Sequence, residues 1–145
     1  LRDSNMMKLD KYILHYKASK PGCHIITDLI TSELKKSSIQ DGILHLFIHH
    51  TSASLTISEN HEASVRDDLE AYFNHQVKEN EHYYTHLTEG PDDMPAHIKN
   101  VLIGSQVSIP FAEGKLSLGT WQGIFLWEFR NACPNRKITL TLMGQ

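Results

Sequence analysis

The chain has 145 residues, 40% of them hydrophobic and 21% charged. That length suits one domain with a self-sufficient core and excludes a two-domain enzyme with an interdomain cleft, and no apolar stretch approaches the about 18–20 residues of a membrane span. Fourteen Lys and Arg against 17 Asp and Glu leave a formal charge of −3, the wrong sign for gripping nucleic acid by counterion release, so neither nucleic acid nor membrane is expected as a partner.

The two cysteines, Cys23 and Cys133, form no CxxC pair. Neither a disulfide framework nor a thiolate zinc finger is indicated, and the cytoplasm is the expected compartment. Residues 1–7 lack the apolar core of a signal peptide and are read as vector-derived, trimmed or disordered, ahead of a single domain over residues 8–145. Ten histidines are the unusual count.

In chain order, Lys8 to Lys17 reads as a strand and Cys23 to Ile26 as a short second one. Thr27 is expected to cap a helix that buries Ile30 and Leu34 and frays at Lys35-Lys36. Ile43 to His50 alternates, with Leu44, Leu46, Ile48 and His50 on one face and Ile43, His45, Phe47 and His49 on the other. Ala53 to Ile57 continues extended. Val65, Leu69, Tyr72 and Phe73 form the apolar stripe of a helix over Glu62 to Val77. A third helix starts near Asp93, capped by Asp92 or Asp93, and ends at Gly104. Four strands follow. Gln106 to Phe111 and Lys115 to Leu118 flank a Glu113-Gly114 turn, and Gly123 to Arg130 and Arg136 to Met143 flank a Pro/Asn loop. Mixed elements without a βαβ rhythm predict an α+β fold, largely antiparallel, with about three helices.

Three histidines compete seriously for a chemical role: His50 at a strand end, and His86 and His97, which bracket the adjacent acids Asp92 and Asp93. If they converge, three imidazoles with an open fourth position describe a catalytic zinc-type site. The ordinary alternative is a hydrogen-bonded rim histidine and two helix-capping aspartates. Among the acids, Glu59 and Asp92 are candidates for a general base, and Asp93 and Glu128 for partners that orient the imidazoles. Thr51 and Ser52 offer hydroxyls and amides to an anion. In Gly119-Thr120-Trp121-Gln122-Gly123, Thr120 offers a hydroxyl and Trp121 a stacking face, while Arg130 can fork onto a phosphate. A tight turn with a packed indole and a surface arginine explains the same segment without a ligand.

Taken together, His50-Thr51-Ser52-Ala53-Ser54-Leu55-Thr56, Glu59-Asn60, Glu89-Gly90-Pro91-Asp92-Asp93-Met94-Pro95-Ala96-His97-Ile98-Lys99 and Gly119-Thr120-Trp121-Gln122-Gly123-Ile124 closely resemble the YjbQ-like family, described as secondary thiamine-phosphate synthase. The resemblance runs from about Lys8 to Gly144. It implies sandwiched sheets, a homotrimer, and a site near subunit boundaries built on histidines matching His50, His86 and His97. The implied reaction condenses a hydroxymethylpyrimidine pyrophosphate with a thiazole phosphate and releases pyrophosphate, so the expected partner is a small phosphorylated molecule. A three-histidine site suits zinc better than magnesium, which remains the alternative if carboxylates hold it with substrate phosphates. A zinc-dependent phosphoesterase and a non-enzymatic trimeric module that binds metal or a small ligand are the competing readings. The sequence departs from the family pattern at Ser58, at Glu62-Ala63 and at Phe129, where Asn, Asp-Pro and His are usual.

Overall fold

The computed structural model describes residues 6–145, so the expected trimmed or disordered segment falls, over residues 1–5, outside the described residues. Eight strands and three helices follow in the order β1 (Lys8–Tyr16), β2 (Gly22–Ile25), α1 (Thr27–Leu34), β3 (Gly42–Ile48), β4 (Ala53–Glu59), α2 (Ala63–Gln76), α3 (Asp93–Ile103), β5 (Gln106–Ala112), β6 (Lys115–Leu116), β7 (Gln122–Glu128) and β8 (Arg136–Gly144). The fold is α+β, as expected. Every strand pairing is antiparallel, in a five-stranded sheet of order β1-β8-β3-β5-β6 and a three-stranded sheet of order β2-β7-β4. The chain crosses between the sheets in the loop after β7, where the sequence places Pro134 and Asn135.

One core joins the two sheets. Leu44, Leu46 and Ile48 of β3, Ile138, Leu140 and Leu142 of β8, Leu55 of β4 and Ile124 and Leu126 of β7 meet in it, with Ile30 and Leu34 of α1. Period-two alternation makes this possible, since each strand turns one row of side chains inward. Strand β7 is the exception, buried from Gly123 to Glu128. Its other row, Phe125 and Trp127, faces α2 and α3, where Trp127, Phe129 and Ala96 form a second cluster with Leu69 and Phe73. The three-stranded sheet is therefore a middle layer, and its apolar run reads as fully buried.

Several local expectations change. Thr27 does not cap α1: the N-cap is Ile26 without a side-chain bond, and Thr27 Oγ1 instead accepts the Ile124 N–H at 2.9 Å, tying the helix start to β7. Tyr72 belongs to no buried stripe and is exposed, because α2 buries only its Leu69–Phe73 side against Trp127. Strand β3 stops at Ile48, so His50 lies outside it. The Glu113-Gly114 turn is as read: both residues have positive φ, the geometry of a two-residue hairpin between β5 and β6. Helix α3 ends at Gly104, whose φ of 102° suits glycine.

Candidate functional site

Helix α3 positions the site. Its start is set by Pro95, tolerated in a first turn where no amide partner is lost, and by Ala96, which packs on Trp127 and Phe129. Asn100 then pins the helix to the start of β4, donating from Nδ2 to the Ala53 carbonyl at 2.7 Å and to Ser54 Oγ at 3.3 Å. One turn earlier, His97 is held the same way: its Nδ1 lies 2.9 Å from the Thr51 carbonyl. A carbonyl only accepts, so Nδ1 carries the proton and Nε2 is the nitrogen left to face the site.

Asp93 and His97 stand four residues apart on α3, hence on one face. Asp93 Oδ2 lies 3.0 Å from His97 Nε2 and 2.6 Å from Nε2 of His86, which arrives from the loop after α2. These three side chains offer donor atoms within 4.8 Å of one another, the only such group of His, Cys, Asp or Glu among the described residues. Asp93 is buried, whereas the His86 and His97 side chains keep one edge open to solvent.

Arg130 closes the other side. Its Nε donates to Asp92 Oδ2 at 3.0 Å, its Nη1 to Asp93 Oδ1 and its Nη2 to the Glu89 carbonyl at 2.9 Å. Burial pushes the Asp93 carboxyl up, but the His86 hydrogen bond and the charges of His97 and Arg130 outweigh it and hold it below the usual carboxylate range. Burial likewise opposes ionisation of Asp92, and the Asn131 amide with the Arg130 guanidinium brings it down. With both imidazoles neutral, two carboxylates against one guanidinium leave one net negative charge, a balance that attracts a cation.

The expected residues sort by this geometry. His86 and His97 come together, and the third member is Asp93, expected to orient the ligands rather than be one. His50 is elsewhere: its Nε2 accepts the Lys137 N–H at 2.8 Å, and burial with the nearby Arg136 charge keeps its pKa low. Asp92 takes the N-cap position of α3, as expected, though without a side-chain bond to the helix amides, because its Oδ2 accepts from Arg130 and the Asn131 amide. Arg130 spends its fork on protein groups within the chain.

Ser52 and Glu128 are buried around Arg136. The guanidinium forms an ion pair with Glu128, donating to its Oε1 at 2.8 Å, and donates to Ser52 Oγ at 3.0 Å, so both are engaged within the chain. Thr51 contributes its carbonyl, not its hydroxyl. Glu59 accepts the amides of His61 and Glu62 at the start of α2. It pairs with Gln122, at the opposite end of β7 from Glu128, and seven strand residues span about 20 Å, so Glu59, Thr120 and Trp121 cannot join His97 within one chain. Trp121 is exposed and meets the His61 ring edge-on at 4.6 Å. The signal that finds Asp93 is its four-residue spacing from His97 on a helix.

A family model described as UPF0047 protein YjbQ-like matches residues 12–145. The chain is 47% identical over 130 residues to the UPF0047 protein YjbQ of Salmonella typhimurium, covering 88% of this chain and 94% of the relative. It is 42% identical over 133 residues to the UPF0047 protein YjbQ of Escherichia coli O157:H7, covering 91% and 96%. A crystal structure of a YbjQ-like protein of unknown function from Sulfolobus solfataricus superposes with a TM-score of 0.86 at 27% identity, over 97% of this chain and all of that one. A Clostridium acetobutylicum structure of an uncharacterised protein of the same family gives 0.82 at 33% identity, over 90% and 98%.

These relatives correct the expected activity. They bear only the family designation or are described as of unknown function, and none of them is named for thiamine-phosphate synthesis, phosphate-ester hydrolysis or any other reaction. The synthase reading is withdrawn, and with it the transferase class. No helix is long and apolar enough to cross a membrane among the described residues.

Proposed function

The chain belongs to the YjbQ-like UPF0047 family, and from that premise we propose that it binds a divalent transition metal through His86 Nε2, Asp93 Oδ2 and His97 Nε2. The observation that carries this reading is the convergence of those three atoms within 4.8 Å. Two imidazoles and one carboxylate suit zinc or ferrous iron, whereas magnesium demands oxygen ligands and retained waters. The Thr51 carbonyl fixes the His97 tautomer with the lone pair inward, the kind of outer hydrogen bond that metal-binding histidines use. Tetrahedral zinc at about 2.0–2.1 Å from each ligand separates the ligands by roughly 3.3 Å, so an ion needs the Asp93 oxygen to back away from His86 by under 1 Å and the two imidazole nitrogens, within 4.8 Å of each other, to draw together.

Zinc is the ion to test first. After exposure to Zn²⁺ and desalting, the purified protein is expected to retain about one ion per chain. A cobalt-loaded sample should show visible absorption that His86→Ala and Asp93→Asn abolish. Retention of less than a tenth of an ion, or full retention in both variants, overturns the reading.

A second observation supports assembly into a homotrimer. The outer face of the five-stranded sheet carries Leu9, Met143 and Ile43 in one cross-strand row and Ile13 and Phe47 in another, all exposed. Such rows are what a neighbouring copy covers. Both cysteines are free thiols, which suits a cytoplasmic location.

A further inference from the structure

Beneath α2 and α3, on the far side of Asp92 from the histidines, lies a cavity of about 360 Å³. Its floor is aromatic. Phe73 meets Trp127 edge-on with centroids 5.5 Å apart, and Phe129 follows Trp127 at 6.2 Å. Its rim carries Glu70, Glu79, Asp92 and Lys99.

The rim charges do not cancel. Asp92 is paired with Arg130, and Glu128 behind the floor with Arg136. Glu70 accepts the Cys23 amide on Oε1 at 2.5 Å, and neither Glu70 nor Glu79 makes an ion pair among the described residues. Among the lining residues the Lys99 ammonium is the one cation against these two carboxylates, while Arg66, one turn before Glu70 on α2, lies over the Phe125 ring outside the lining. Lys99 donates to Asn74 Oδ1 at 2.6 Å and lies 5.8 Å above the centroid of the Phe129 ring. The lining itself is left with one negative charge in excess.

We propose that this cavity binds a small organic cation, an ammonium on a flat or short apolar body, between the aromatic floor and the carboxylates of Glu70 and Glu79. Lys99 marks the position a cation takes: over the electron-rich ring face with an amide oxygen beside it. The volume falls within the range of small-molecule sites, and the aromatic floor offers contact area while the polar groups around it fix orientation. An anion meets two unpaired carboxylates and is excluded. A neutral ligand gains the floor but not the charge. Burial costs the Lys99 ammonium, pulling its pKa down against the support of Glu79, and its long stem is able to carry it to solvent.

The chain has two tryptophans, so Trp121→Phe leaves Trp127 in the cavity floor as the only indole reporter. Benzylammonium titrated into that protein at neutral pH is expected to change Trp127 emission saturably, and calorimetry should return the same affinity. Benzyl alcohol and benzoate should bind at least about tenfold more weakly. The Glu70→Gln/Glu79→Gln pair, which keeps an acceptor for the Cys23 amide, should lose about tenfold for benzylammonium, and Lys99→Gln should gain severalfold. Equal binding of benzyl alcohol and benzylammonium, unchanged affinity in the Glu-to-Gln pair, or no saturation with and without Lys99 would each overturn the proposal.

Discussion

Asp93 and His97 stand one helical turn apart, and His97 turns its protonated Nδ1 to the Thr51 carbonyl while Nε2 rests 3.0 Å from Asp93 Oδ2. The Thr51 bond fixes the ring in one orientation with Nε2 toward Asp93. The consequence is that backbone orients His97 while the Arg130 side chain orients Asp93, which ties the proposed metal site to the loop before β4.

The first prediction follows for metal content. Asp93→Asn removes the charge but keeps the shape, and His97→Ala removes a donor, so each is expected to lower zinc affinity by at least about 100-fold in a chelator competition. His86→Ala, which removes the more exposed imidazole, should act in the same direction. Affinity should fall on acidification in the unmodified protein, because each ligand must shed its proton to bind.

His50 tests the alternative ligand set. Its Nε2 accepts a backbone amide from Lys137, so His50→Ala should leave zinc stoichiometry at one per chain and cost about 1 kcal/mol of stability, the worth of one hydrogen bond. Metal analysis beside a urea denaturation curve reads both. Loss of zinc in His50→Ala with an unchanged denaturation midpoint restores the three-histidine set.

Much of the fold is legible in the residues because its strands alternate cleanly. Leu44, Leu46 and Ile48 against Ile43, His45 and Phe47 announce both the strand and its buried face, and Gly104 announces the end of α3. The site is legible only in part. His97 and Asp93 share a helix face, so their meeting follows from spacing. His86 reaches them through a loop whose path depends on tertiary packing, and periodicity says nothing of it. Strand β7 hides its role for a related reason: buried on both faces, it shows no alternation to tell which row meets the helices. His50 misleads because alternation extrapolates a strand two residues beyond its real end at Ile48.

Arg136 and Glu128 form the most buried ion pair, both almost without solvent access. Arg136→Met leaves a buried carboxylate uncompensated and also deprives Ser52 of its donor, so it is expected to cost about 3–5 kcal/mol in chemical denaturation. Adding Glu128→Leu to Arg136→Met removes the stranded charge and should recover part of that loss. A double variant less stable than Arg136→Met would show that the Arg130 amide, which Glu128 also holds at 3.0 Å, carries more of the site than the charge does.

Acid stability has a defined sign. Asp92 and Asp93 titrate below the usual carboxylate value in the folded chain and near about 3.9 when unfolded, so the unfolded chain binds more protons across that window. Their contribution is complete above about pH 4 and is lost as pH falls through the folded values. Urea midpoints of metal-free protein measured downward from pH 5 should therefore fall, and the fall should be shallower in Arg130→Gln, which releases the guanidinium holding both carboxylates down.

The last prediction concerns the exposed rows of the five-stranded sheet. Ile43 on β3 and Ile13 on β1 each expose about half of their surface, on a face whose other side is the core. In an isolated chain, charging these positions touches no packed neighbour and should change stability by no more than about 0.5 kcal/mol. In a homotrimer that uses this face, the same change buries an unpaired carboxylate at the contact and drives dissociation. Light scattering of the unmodified protein at micromolar concentration is expected to give about three times 16.5 kDa, and Ile43→Glu with Ile13→Glu to give the single-chain mass with an intact far-ultraviolet dichroism spectrum. A monomer in both samples rejects the assembly, and a trimer in both moves the contact off this face. Because neither residue touches the histidine cluster, zinc retained by the dissociated variant would also establish that the His86, Asp93 and His97 donors suffice within one chain.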